Sequence, residues 1–195
     1  MYRFWKRKKN VKEINLDIAA EKNMDITAAE FRYLIHSTER DVVFLCIGSD
    51  RFIVDCLGPL VGTMLQENKG LYHVYGTLKN PVHALNLKST LKEINKQFQN
   101  PFLVAIDACV SERNHVGEIF IKKGPLFPGR AMNKKLDEVG DCHIKAIVNY
   151  IDKYESNHFL ASTRLHTVMD MAKKVYELIT DNHKEGQKRV IKQKD

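Results

Sequence analysis

Long apolar runs are missing from this sequence. The longest, Val42 to Ile47 and Phe102 to Ile106, fall far short of the roughly 20 residues a membrane-spanning helix needs, so no transmembrane helix is expected. The basic opening Met-Tyr-Arg-Phe-Trp-Lys-Arg-Lys-Lys has no apolar stretch behind it and no small-residue cleavage site, which argues against export. CxxC spacing is absent from the four cysteines Cys46, Cys56, Cys109 and Cys142. Free thiols in a reducing, cytoplasmic compartment are therefore expected rather than a disulfide framework. No repeat or low-complexity tract interrupts the chain, and 195 residues with 44% hydrophobic content suit one domain with short extensions.

The formal net charge of +7 is unevenly placed. Residues 1 to 12 carry six Lys/Arg and no acid, and residues 183 to 195 carry five Lys/Arg against two acids. These ends exceed the whole net charge, so the body between them is close to neutral. The division expected is a basic extension over 1–24, a single α/β domain over 25–182 and a basic tail over 183–195. The ends are either solvated tails or weak attractors of nucleic acid or another anionic partner.

Strand-like and helix-like segments alternate through the first two thirds, the pattern of βαβ units. Thr27-Ala-Ala-Glu30 has the form of a capping box and predicts a short helix. Asp41 to Gly48 and Pro101 to Asp107 read as strands buried on both faces. Gly58-Pro59 precedes apolar residues at helical spacing, and Asn80-Pro81 has the form of an N-cap and N1 proline before a long helix from Val82 to Phe98. Gly117 to Lys122 alternates like a half-exposed strand, residues 142 to 150 give another, and Leu165 to Ile179 carries the stripe of a helix with one buried face.

Right-handed crossovers bring the C-terminal ends of parallel strands to one edge, where open α/β sheets hold their ligands. The loops after Gly48 and at Asp107 should therefore meet, and with them Asp55 and Asp107. Two carboxylates held close cannot both ionise freely, so one keeps a proton while the other acts as base toward water. The same pair, joined by His143, could instead hold a divalent transition metal. Each residue also has a plainer reading. Asp55 could cap the next helix, Asp107 could bond its own loop, and His143 could be structural. Asp50 and Arg51 either contact substrate or shape their loop. Cys56 and Cys109 have no evident base nearby and are taken as packing.

Four stretches carry a resemblance: Cys46-Ile-Gly-Ser-Asp-Arg51, Asp55-Cys-Leu-Gly-Pro-Leu-Val-Gly62, Tyr75-Gly-Thr-Leu-Lys-Asn-Pro-Val-His-Ala-Leu-Asn86 and Ala105-Ile-Asp-Ala108. Together with Asn133-Lys-Lys-Leu136, Val139-Gly-Asp141 and Ile147-Val-Asn149, they resemble the small sporulation proteins related to the spore germination protease. The likeness runs over roughly residues 25 to 180. It implies a three-layer α/β/α sandwich around a mixed, mainly parallel sheet, phosphorylase/hydrolase-like and shared with the hydrogenase maturation proteases. It also implies that Asp55 and Asp107 match the proposed catalytic pair of the larger germination protease. In the maturation proteases the acidic positions join a histidine at a metal, and His143 lies near that place. The chain is shorter than the germination protease and no propeptide is evident, so neither its substrate recognition nor its zymogen control carries over.

Three functions follow as expectations. One is a cofactor-free endopeptidase of the developing or germinating spore, acting on protein or peptide substrates such as small spore proteins. The second is a metal-assisted protease using Asp55, Asp107 and His143. The third is a catalytically silent protein that engages a partner through its basic ends. No membrane partner is expected, and homo-oligomerisation is left open.

Overall fold

A computed structural model of the chain describes residues 25–68, 72–128, 138–151 and 158–191. The chain forms a five-stranded sheet in the order β2-β1-β3-β5-β4, with β1 Val42–Cys46, β2 His73–Tyr75, β3 Phe102–Ser111, β4 Ile119–Lys123 and β5 Cys142–Tyr150. Every pairing is parallel except β4 with β5. The helices are α1 Ala28–Ser37, α2 Leu57–Glu67, α3 Leu87–Gln97, α4 His158–Ser162 and α5 Leu165–Ile191. The mixed α/β sandwich is thus as expected, with β1 inside the sheet and β3 at its centre.

Alternation along the strands sorts their side chains between two cores. Phe44, Cys46, Val104, Ile106, Ile144 and Ala146 pack with residues of α1, α2 and α5, among them Phe31, Leu65 and Val175. Val43, Leu45 and Ala105 pack on the other face with Leu87 and Ile94 of α3. Strands buried from both sides need no polar face, which explains the continuous apolar runs of β1 and β3.

The Thr27 capping box is present. The Thr27 N–H donates to Glu30 Oε2 at 2.7 Å, and the Glu30 N–H donates to Thr27 Oγ1 at 3.2 Å. Asn80-Pro81, by contrast, does not open a helix. Val82 forms a parallel bridge with Ile47, and its carbonyl accepts the Gly48 N–H at 2.7 Å. Residues 81 to 86 are thereby held against the exit of β1, and α3 begins only at Leu87. The last helix is longer than expected and reaches Ile191, into the stretch read as a basic tail. Residues 1–24 and the Asn133-Lys-Lys-Leu136 motif lie outside the described residues.

At the N-terminal edge of the sheet, Arg40 holds three chain segments. Its guanidinium donates to both Asp141 carboxylate oxygens, at 2.9 and 3.0 Å, and to the carbonyls of Asn100 and Pro101. Asp141 Oδ2 also accepts the Leu103 N–H at 2.8 Å. All four cysteines are free thiols. Among the described residues no helix is long and apolar enough to cross a membrane.

Candidate functional site

β1 stops at Cys46 while β3 runs on to Ser111, paired beyond Ile106 only with β5. Asp107 is the first β3 residue past that step. The chain leaving β1 turns at Gly48, whose φ of +144° lies in the region glycine favours. It then forms a 3-10 turn, Ile53–Asp55, which packs on β3, α4 and α5. A side chain at Gly48 would collide with the Asp55 carbonyl oxygen, the same oxygen that accepts the Ser49 N–H at 3.0 Å. The turn therefore pins Asp55 close to the mouth of β1. Cys56, rather than Gly58, is the N-cap of α2, and it makes no side-chain cap. Asp55 is accordingly not the N-cap residue.

Asp55 lies close enough to Asp107 for its charge to act there. Each keeps a solvent-accessible edge, yet protein surrounds most of it. Burial pushes the Asp55 carboxyl up to about 7 against the weaker opposing pull of the Ser49 backbone hydrogen bond. Burial first, and then the Asp55 charge, hold Asp107 well above the usual carboxylate range, opposed by Lys145 and by the Ala108 N–H. Both carboxyls are thereby biased toward their protonated forms.

Lys145 was not anticipated from the sequence. It is the register partner of Asp107 across the β3–β5 pair, so both side chains rise from the same face of the sheet. Its ammonium offsets one of the two negative charges without a metal. His143, two residues earlier on the same face, pairs in register with Ala105. It is fully buried, and its Nδ1 donates to the Gly124 carbonyl oxygen at 2.9 Å. Among the described residues no three His, Cys, Asp or Glu side chains are grouped to hold a metal ion. The Asp55, Asp107 and His143 metal set is therefore not assembled.

Asp50 and Arg51 are exposed on the β1–α2 loop. The Arg51 N–H donates to Ser49 Oγ at 3.3 Å, which shapes the loop. Asp50 lies close enough to Cys56 to oppose ionisation of its thiol, behind the larger effect of burial. The Cys56 thiol points to the Phe52 carbonyl at 3.3 Å, in keeping with a packing role.

A family model described as a protein of unknown function (DUF1256) matches residues 15–178. The chain is 46% identical over 134 residues to the uncharacterized protein YyaC of Bacillus subtilis (strain 168). That alignment takes in 68% of this chain and 65% of YyaC, so it spans less than two thirds of the relative. Among solved structures, the NiFe hydrogenase maturation protease HycI from Thermococcus kodakarensis KOD1 is similar at a TM-score of 0.45 and 16% identity, over 79% of this chain and 99% of that one.

Proposed function

Because the chain belongs to the family of unknown function DUF1256, its activity has to be argued from the site, and we propose that it is a peptide-bond hydrolase working through Asp55 and Asp107. The observation that carries this reading is the approach of two carboxylates from separate βα units in surroundings dry enough to favour the protonated form of each. Asp55 takes a proton from a water molecule as its oxygen attacks the scissile carbonyl carbon. Asp107 donates its proton to the carbonyl oxygen, giving a neutral gem-diol. Collapse of the gem-diol breaks the C–N bond: Asp55 passes its proton to the departing amine nitrogen, and the hydroxyl proton returns to Asp107. Lys145 limits the negative charge that gathers during these transfers. The resemblance of the Cys46–Arg51, Asp55–Gly62 and Ala105–Ala108 motifs to the germination protease relatives supports proteins of the developing or germinating spore as substrates. Asp50 and Arg51, exposed beside the turn, are suited to contact such a chain.

The test is to incubate wild type, Asp55→Asn and Asp107→Asn with a spore-protein extract and compare the fragments by mass spectrometry. Each single change should lower cleavage by at least about a hundredfold, the low end of general acid–base contributions. Undiminished cleavage by both variants would refute the aspartate pair. No cleavage by wild type would favour a silent binding protein.

A further inference from the structure

The Tyr75–Asn86 motif plays no part in the proposed chemistry, yet it builds one wall of a cavity of about 590 Å³. The cavity opens beside β2, the outermost strand on that side of the sheet. Gln66 of α2 stands on one flank, Thr90 and Glu93 of α3 on the other, and Thr77, Lys79 and His83 of the β2–α3 loop border it. The Val82 contacts with Ile47 and Gly48 tie that loop to the exit of β1, and so to the aspartate site.

The lining offers both donors and acceptors with no excess of charge. His83 Nδ1 accepts the Leu85 N–H at 3.3 Å, so a neutral ring carries its hydrogen on Nε2 and can donate. Thr77 Oγ1 accepts the Asn80 N–H at 3.1 Å and keeps its own hydrogen to give. Thr90 spends its hydrogen on the Asn86 carbonyl, leaving its oxygen to accept. Lys79 and Glu93 cancel in charge, and the Gln66 amide serves either way. Among the described residues seven large hydrophobic side chains stand exposed, and four of them, Phe52, Ile53, Leu78 and Leu85, belong to the two connections that follow β1 and β2.

We propose that this cavity is an accessory subsite that holds a neutral polar side chain, such as Asn, Gln, Ser or Thr, of an extended polypeptide whose scissile bond lies at Asp55 and Asp107. The proposal rests on the peptidase reading above. β2 lies two strand spacings from β3 and the cavity about one more, roughly 15 Å in all, which an extended chain covers in about four or five residues. The cavity volume lies within the usual range for ligand sites and exceeds one side chain, leaving room for the flanking backbone.

The test uses fluorescein-labelled dodecapeptides randomised one position at a time. They are titrated against the Asp107→Asn chain by polarisation and digested in parallel with wild type to locate the cut. One position about four or five residues from the cut should prefer Asn, Gln, Ser or Thr over Asp, Lys or Leu by about tenfold, or about 1.4 kcal/mol. Gln66→Trp or Glu93→Trp, each on an exposed helix surface, should erase that preference without moving the melting midpoint. A preference that survives both tryptophans, or the lack of any preference so far from the cut, would overturn the proposal. Peptides left whole by wild type while the tryptophan-sensitive preference persists would refute the peptidase reading and leave the ligand class standing.

Discussion

Asp107 is opposed in its ionised form by burial and by the charge of Asp55, and Asp55 is opposed by burial. Both carboxyls therefore hold their protons longer in the folded chain than in the unfolded one, where they titrate near an ordinary value of about 4. Their contribution to stability is complete below about pH 4 and is lost as pH rises, by about 7 for Asp55. Asp55→Asn or Asp107→Asn should accordingly raise stability at pH 8 by about 1–3 kcal/mol, or roughly 3–8 °C in melting midpoint. That gain should vanish at pH 4, and melting curves at the two pH values check it. Lys145 acts in the opposite direction on Asp107. Lys145→Met should move the alkaline limb of the pH–rate profile, where the Asp107 proton is lost, upward by about one unit, while Lys145→Arg keeps the charge and holds the limb in place. The two aspartates were legible because each ends or follows a strand-like run. Lys145 was not: residues 143 and 145 share a face by alternation, and only the register of β5 against β3 decides which of them stands beside Asp107.

Among the elements, those defined by local chemistry were the most readable. α1 announces itself by its capping box, and β1 and β3 by apolar runs of strand length. The start of α3 was misread because Asn80-Pro81 is a sound local signal that a distant pairing overrides. Val82 gains a bridge to Ile47 that a helix beginning at Pro81 would forfeit. Equally invisible locally is the Arg40–Asp141 clamp, which joins residues 101 positions apart. It satisfies the Leu103 N–H and two carbonyls at the start of β3 as well as the ion pair itself. Both side chains are about one third exposed, so solvent weakens the Coulomb part and the hydrogen bonds dominate. Asp141→Ala should cost about 1–3 kcal/mol, seen as a lower urea midpoint with an unchanged slope. Cleavage at saturating substrate should be unaltered, because the clamp lies at the edge opposite the aspartates.

Across the whole molecule, composition pointed to one near-neutral body between basic ends, and alternation pointed to a mainly parallel sheet. Strand order and register remained hidden because they are set by packing between segments far apart in sequence. That order places stapling contacts at one edge of the sheet and the reactive groups at the other. It also divides the reactive groups among three stretches of backbone: Asp55 after β1, Asp107 on β3 and Lys145 on β5. A chain emerging from the ribosome lacks the second carboxylate until β3 is synthesised and the lysine until β5 follows. Even then the three groups stay apart until the strands close on one another. If the proposed hydrolysis holds, a half-made copy is harmless to its neighbours, and the site exists only once folding is complete.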